Sequence, residues 1–148
     1  MRVCIRNMRE DDLGSVMQIW LEANTGAHDF IPKDYWLDQF DTTKKLIPLA
    51  EVYVCECDGK IVGFIGLSDH YIEGVFVALG LQSNGFGKRL LDYVKKKRTS
   101  GLCLDVYKKN VRAMNFYQRE GFRVQSVYID PNTGEEDISM AWNPSYDT

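Results

Sequence analysis

The stretch YIEGVFVAL (71–79) is rich in β-branched and aromatic residues, as a strand is, and it gives way at once to LQSNGFGKRLL (81–91), where two glycines precede an apolar helical stripe. Another strand-like run, LCLDVY (102–107), follows. Strand, helix and strand in that order constrain the chain more than any other feature. A helical crossover returns the chain in the same direction, so the two strands are expected to lie parallel in one sheet. The glycine turn then falls at the C-terminal end of the first strand, where open α/β sheets bind ligands.

A glycine-rich turn that opens a helix presents unpaired backbone N–H groups and a partial positive charge to an anion. A Walker loop would need Gly at position 82 and Ser or Thr at 89, where Gln82 and Arg89 stand. A dinucleotide fingerprint fits Gly85 and Gly87, and Asp105 lies near the offset of a ribose-binding acid, but the third small residue falls on Leu90. A plain surface turn whose glycines only relieve strain is the third reading, and the turn alone leaves it open.

The remaining pattern supplies the context. RVCIRNM (2–8) reads as a strand, and EDDLGSVMQIWLEAN (10–24) as a helix with Leu13, Val16, Met17, Trp20 and Leu21 on one stripe. KDYWLDQFDTTKKLI (33–47) reads as a second helix between Pro32 and Pro48. EVYVCEC and KIVGFIGLS form two strands joined by Asp58-Gly59, a tight hairpin signal. FGKRLLDYVKKKR reads as a helix burying Leu90, Leu91 and Val94 and halted by Gly101. NVRAMNFYQREG is a helix with Asn110 as N-cap and Gly121 as its stop, and FRVQSVYI and EDISMAW form a closing hairpin across DPNTGE. The order β-α-α-β-β-β-α-β-α-β-β predicts an α/β fold: a mixed sheet with helices on both faces, in one domain spanning 1–148.

Composition excludes several classes. A net charge of −3 does not suit a nucleic-acid binder, and the one basic run, Lys95 to Arg98, reads as a solvated helix end. The N-terminal MRVCIRNMRED lacks an apolar core and nothing later matches a membrane span, so the expectation is a cytoplasmic protein with no membrane partner. The four cysteines fall in predicted strands and read as reduced core thiols, with Cys55 and Cys57 on one strand face. Two isolated histidines, His28 and His70, supply no metal set, so no metal is expected.

With this element order, VFVALGLQSNGFGKRLL followed by NVRAMNFYQREGF resembles the GNAT superfamily of acetyl-CoA-dependent N-acetyltransferases over nearly the whole chain. One motif is the [Gln/Arg]-x-x-Gly-x-[Gly/Ala] pyrophosphate loop; the other is the Asn-x-x-Ala-x-x-Phe-Tyr-x-x-x-Gly-Phe segment from Asn110 to Phe122. Family members often carry Asp-Pro after the strand, where this chain has Ala78-Leu79, so a slightly different strand exit is expected.

The resemblance implies that backbone N–H groups of Gln82, Ser83, Asn84, Gly85, Phe86, Gly87 and Lys88 cradle the coenzyme pyrophosphate. Lys88 and Arg89 could add charge there or simply face solvent. The pantetheine arm would pair with strand backbone at Val75, Phe76 and Val77, where the two parallel strands splay, and Asn110 and Tyr117 would complete the cofactor contacts. It implies transfer of an acetyl group to a primary amine by direct attack in a ternary complex, on a protein lysine or N-terminus or a small cationic amine, by a monomer or homodimer. Tyr117 matches the family's proton donor to the departing thiolate, and Glu73 and Asp105 stand where members carry a carboxylate base. The acceptor site is expected between the first two helices, with His28 and Phe30 lining it, near Glu22, Asp29, Asp34, Asp38 and Asp41 against Lys33. A non-catalytic acyl-CoA sensor is the alternative; it could dispense with Tyr117.

Overall fold

The computed structural model describes residues 1–147. Its elements are β1 (Val3–Asn7), α1 (Leu13–Ala27), α2 (Lys33–Leu46), β2 (Glu51–Cys57), β3 (Lys60–Ser68), β4 (Tyr71–Val77), α3 (Phe86–Lys95), β5 (Leu102–Tyr107), α4 (Val111–Arg119), β6 (Arg123–Ile129) and β7 (Glu136–Trp142). Short 3₁₀ turns lie at Glu10–Asp12, Ile47–Leu49 and Pro144–Asp147. The element order matches the sequence expectation.

All the strands join one sheet in the order β1-β2-β3-β4-β5-β7-β6. Every neighbouring pair is antiparallel except β4 and β5, which the α3 crossover makes parallel. Alternation divides the core between the two faces. Phe86, Leu90, Leu91 and Val94 of α3 and Tyr117 of α4 pack on Ile65, Leu67, Ile72 and Leu104 on one face. Val16, Met17, Ile19 and Trp20 of α1 and Trp36 of α2 pack on Val52, Val54 and Phe64 on the other.

The sheet opens at its centre. β4 and β5 pair only at Tyr71 with Cys103 and Ile72 with Leu104. Beyond that point each strand is held by its outer neighbour alone: β4 stays paired to β3 as far as Val77, and β5 to β7 as far as Tyr107. Leu67 faces Ile72 and Gly66 faces Gly74, which leaves Glu73 as the extra residue of a bulge. A bulge raises the local twist, and here it stands at the point where the strands part.

Three expectations need correction. Helix α3 ends at Lys95 rather than at Arg98, the chain going on in tighter turns with Lys97 N–H bonded to the Val94 carbonyl at 3.0 Å and Arg98 N–H to the Lys95 carbonyl at 3.4 Å. Arg98 donates to the Asp69 carbonyl at 3.1 Å and pairs with Glu51, while Lys95 reaches the Glu120 carbonyl. The two ends of the basic run are therefore tied to their neighbours, while Lys96 and Lys97 between them are exposed, as a solvated end would be. The thiols are all free, but only Cys55 is fully buried; Cys57 and Cys103 are half-buried and Cys4 is exposed.

Gly101 has a different task, at the entry to β5. Its φ is +112°, and a Cβ there would stand 2.7 Å from the Trp142 carbonyl oxygen. Gly101→Ala is therefore expected to destabilise the fold by about 2 kcal/mol, lowering Tm by roughly 4–8 °C, as thermal unfolding by circular dichroism would measure. An unchanged Tm would show that the β5–β7 junction relaxes freely.

Candidate active site

The opening between β4 and β5 widens into a cleft of about 830 Å³, with α1 on one side and the starts of α3 and α4 on the other. The loop from Leu79 to Gly85 closes one end of it. Ala78 N–H bonds the Val62 carbonyl at 2.8 Å, one residue past the end of β4, and Leu79 then lies against Gly26 of α1. Ser83 and Gly85 are left-handed, and Gly85 is the N-cap of α3 with φ 83°. Arg89 N–H bonds back to Gly85 O at 3.0 Å. The N–H groups preceding it in the first helical turn have no intrahelical acceptor and point out of the helix end.

Side chains of the loop divide by orientation. Gln82, Ser83, Gly85, Gly87 and Lys88 line the cleft. Asn84 does not: its amide turns back to the Leu81 carbonyl at 2.9 Å. Phe86 does not either, since its ring is buried in the core at 4% exposure, leaving only its backbone for a ligand. Lys88 pairs with Glu120 at 3.0 Å and Asp92 at 3.3 Å, and the Glu120 hydrogen bond raises its pKa. Arg112, which the sequence did not single out, donates to Gln82 Oε1 at 2.8 Å and Ser83 Oγ at 2.6 Å, fastening the loop to α4.

Where the strands part, Tyr117 reaches across from α4. Its ring lies against Phe116 and Phe122 at centroid distances of 5.2 and 5.6 Å. Burial pushes its phenol well above the usual tyrosine range, opposed by a hydrogen bond from the Val75 backbone. The Val75 amide thus faces into the V, beside Val77 and Phe76 on the same wall.

Glu73 and Asp105 flank this point, one on each strand, and both line the cleft. Glu73 is exposed and accepts from Ser68 Oγ at 3.0 Å. Asp105 is half-buried and accepts from the Tyr71 hydroxyl at 2.7 Å. Burial and then the Asp105 hydrogen bond push the Tyr71 phenol far up, so it stays a donor. Asp137 of β7 is pushed up to about 6, by burial first and then by the Asp105 charge.

At the α1 side, His28 lines the cleft and stacks on Trp36 at 5.1 Å, with Tyr107 at 5.2 Å. Its Nε2 lies 3.2 Å from Asn110 Nδ2, and Asn110 Oδ1 caps α4 by accepting from Ala113 N–H at 3.2 Å. An amide nitrogen only donates, so His28 Nε2 is the acceptor and the ring proton sits on Nδ1. Burial depresses the His28 pKa, in keeping with a neutral ring. Phe30 stands behind His28, off the cleft wall, with Lys109 above its ring. Asp34, Asp38 and Asp41 are exposed on α2 and Asp29 on the loop before it, none of them in the wall; Glu73, Asp105 and Glu120 are the acids that line it. Among the described residues no group of three or more His, Cys, Asp or Glu is arranged to hold a metal, and no helix is long and apolar enough to cross a membrane.

Comparison with known proteins bears on the whole arrangement. The family model for the acetyltransferase (GNAT) domain matches residues 48–124. The peptidyl-lysine N-acetyltransferase YiaC of Escherichia coli (strain K12) is 33% identical over 140 residues, covering 93% of this chain and 95% of that protein. The solution structure of apo-form YjaB from Escherichia coli superposes with a TM-score of 0.85 at 23% identity, covering 96% of this chain and 98% of that one. The PaiA N-acetyltransferase of Thermoplasma acidophilum, solved in complex with coenzyme A, gives 0.80 at 18% identity over 97% of this chain and 99% of that one. At those identities the two structures speak for the fold, while the family model and YiaC speak for the lineage. The chain belongs to the GNAT family, as an acyltransferase that moves an acetyl group from acetyl-CoA to an amine.

Proposed function

We propose that this enzyme acetylates lysine side chains of proteins or peptides in the cytoplasm, with acetyl-CoA seated between β4 and β5. Two relatives support the acceptor: YiaC, and the Escherichia coli YjaB that is 26% identical over 125 residues, are both named peptidyl-lysine N-acetyltransferases. The observation that carries the proposal is that Tyr117 of α4 and Val75 of β4 both line the cleft just beyond the last β4–β5 pair, where the strands part.

The pyrophosphate takes the free N–H groups at the start of α3, with Gly85 and Gly87 leaving room for it. Pantetheine amides pair with the open edge of β4 from Val77 to Val75, which sets the thioester beside Tyr117. The neutral amine attacks the carbonyl carbon. The oxyanion that forms accepts from β4 backbone N–H, the carbon–sulfur bond breaks, and the thiolate takes the Tyr117 proton. A phenol held above its usual range remains protonated throughout the working pH, so Tyr117 acts as acid and not as base.

Taking a proton from a lysine ammonium at pH 7 costs roughly 4–5 kcal/mol, so a base is needed. Glu73 suits that task better than Asp105, because its carboxylate is exposed to solvent and the cleft while Asp105 is held by Tyr71. Glu73→Gln is expected to lower kcat/KM by roughly 100-fold at pH 7 and by much less near pH 10, where free amine is abundant, with Tm unchanged. Asp105→Asn, which weakens the Tyr71 contact, is expected to lower Tm and depress activity about equally at every pH. Equal losses for Glu73→Gln at both pH values would remove it as the base.

The acceptor itself is tested by incubating acetyl-CoA with lysine-containing peptides, N-terminally free peptides and small diamines, reading released thiol and locating the acetyl group by mass spectrometry. Acetylation confined to α-amines or diamines would refute the lysine assignment.

A further inference from the structure

The coenzyme has to cross the sheet to reach its acceptor. Helix α3, whose start offers the N–H groups, packs on the face that carries Ile72 and Leu104, whereas Phe64, α1 and His28, stacked on Trp36, belong to the opposite face. An arm anchored at α3 and threaded between β4 and β5 therefore brings its acyl end out on the α1 side. What it meets there is Phe76, a residue of β4 that packs with the α1-side core and also lines the cleft.

The Phe76 ring does not extend away from its strand. It folds back over Gly74, where a Cβ would lie 2.3 Å from ring atoms Cε2 and Cζ. It is stacked on Phe64 at 4.8 Å with 27° between planes, and Phe64 is 2% exposed. The backbone behind it is equally confined, since a Cβ at Gly63 would stand 2.7 Å from the Phe76 carbonyl oxygen. Across the cleft α1 presents Ala23 and Asn24, both buried, and the Asn24 amide is engaged with the Trp20 carbonyl at 2.9 Å. The half-buried ring is thus held on one side by Phe64 and the Gly74 backbone while it lines the cleft, so a ligand atom pressing on it meets a supported wall.

We propose that Phe76 is a specificity-determining residue that limits the acyl donor to short chains, its ring forming the end wall of the acyl pocket above Gly74. This rests on the reading that the thioester lies beside Val75. An acetyl group ends short of the ring; each added methylene presses on it. The glycine at 74 serves the same purpose, because any side chain there would displace the ring. A pocket wall of this kind discriminates by roughly 10-fold or more per misfit methylene.

Binding of coenzyme A, acetyl-CoA and hexanoyl-CoA, measured by calorimetry, tests the proposal without an acceptor. The wild-type protein is expected to bind hexanoyl-CoA at least 10-fold more weakly than acetyl-CoA. Phe76→Ala should abolish that difference, read as the ratio of the two acyl-CoA affinities within the same variant. Phe76→Leu, which keeps an apolar contact with Phe64, should fall between the two and decides the matter if the alanine variant fails to fold. Equal wild-type affinities for the two acyl-CoAs would overturn the proposal, as would an unchanged affinity ratio in a folded variant. Failure of the coenzyme placement gives a separate signature: Gly87→Asp would then bind coenzyme A normally.

Discussion

Gly87→Asp is expected to lower acetyl-CoA affinity by about 100-fold or more, close to 2.8 kcal/mol, while the protein stays folded. The fold has room for the change. A Cβ at Gly87 would meet Phe116 at 3.5 Å and Val75 at 3.8 Å, both ordinary contacts, and the residue lies in regular helix. The cleft does not have room for it. The carboxylate would stand at the first turn of α3, among the N–H groups proposed to hold the pyrophosphate, and would add like charge to a doubly anionic group. Gly85 differs, because its φ of 83° strains any other residue whatever the space, so a loss there would mix folding with binding. Calorimetry on Gly87→Asp with a circular dichroism check separates the two, and normal affinity in a folded variant would refute the cradle.

Tyr117→Phe is expected to lower kcat by roughly 10- to 1000-fold, about 1.4–4 kcal/mol of barrier, with acetyl-CoA affinity nearly unchanged. The ring contacts with Phe116 and Phe122 survive in the variant, so stability should change little; only the oxygen that meets the Val75 backbone is lost. The division between kcat and binding is what marks a group that acts on the departing sulfur rather than one that packs the wall. Because burial holds this phenol above its usual range, the wild-type rate should show no alkaline decline from Tyr117 near neutral pH. Full turnover by the variant on an established acceptor would make Tyr117 a packing residue and leave sulfur protonation to water.

Local pattern was enough for much of the molecule. Periods of 2 and 3.6 residues located strands and helices, Asn110 and Gly121 marked the ends of α4, and the parallel pairing of β4 with β5 followed from the crossover between them. These are properties of neighbouring residues and of chain handedness, so they can be read along the chain. The glycine loop and the Asn110–Phe122 segment identified the family for the same reason.

Tertiary structure decided the rest, because those features depend on what comes together from distant segments. Local pattern carries α3 on to Arg98, yet it ends at Lys95, and Arg98 instead meets Asp69 and Glu51, 29 and 47 residues away in the chain. The loop is fastened by Arg112, roughly thirty residues onward, and no local period reveals that pairing. Glu73 and Asp105 look alike as carboxylates in strands, yet a bulge exposes one and the Tyr71 hydroxyl holds the other. Phe30 and Phe86 are aromatic residues beside functional ones, and only packing shows that both stand off the cleft wall while Phe76 lines it. Hydrophobic period specifies which face a residue takes; which neighbour it meets there is set by long-range packing, and the chemistry of the cleft is made of those meetings.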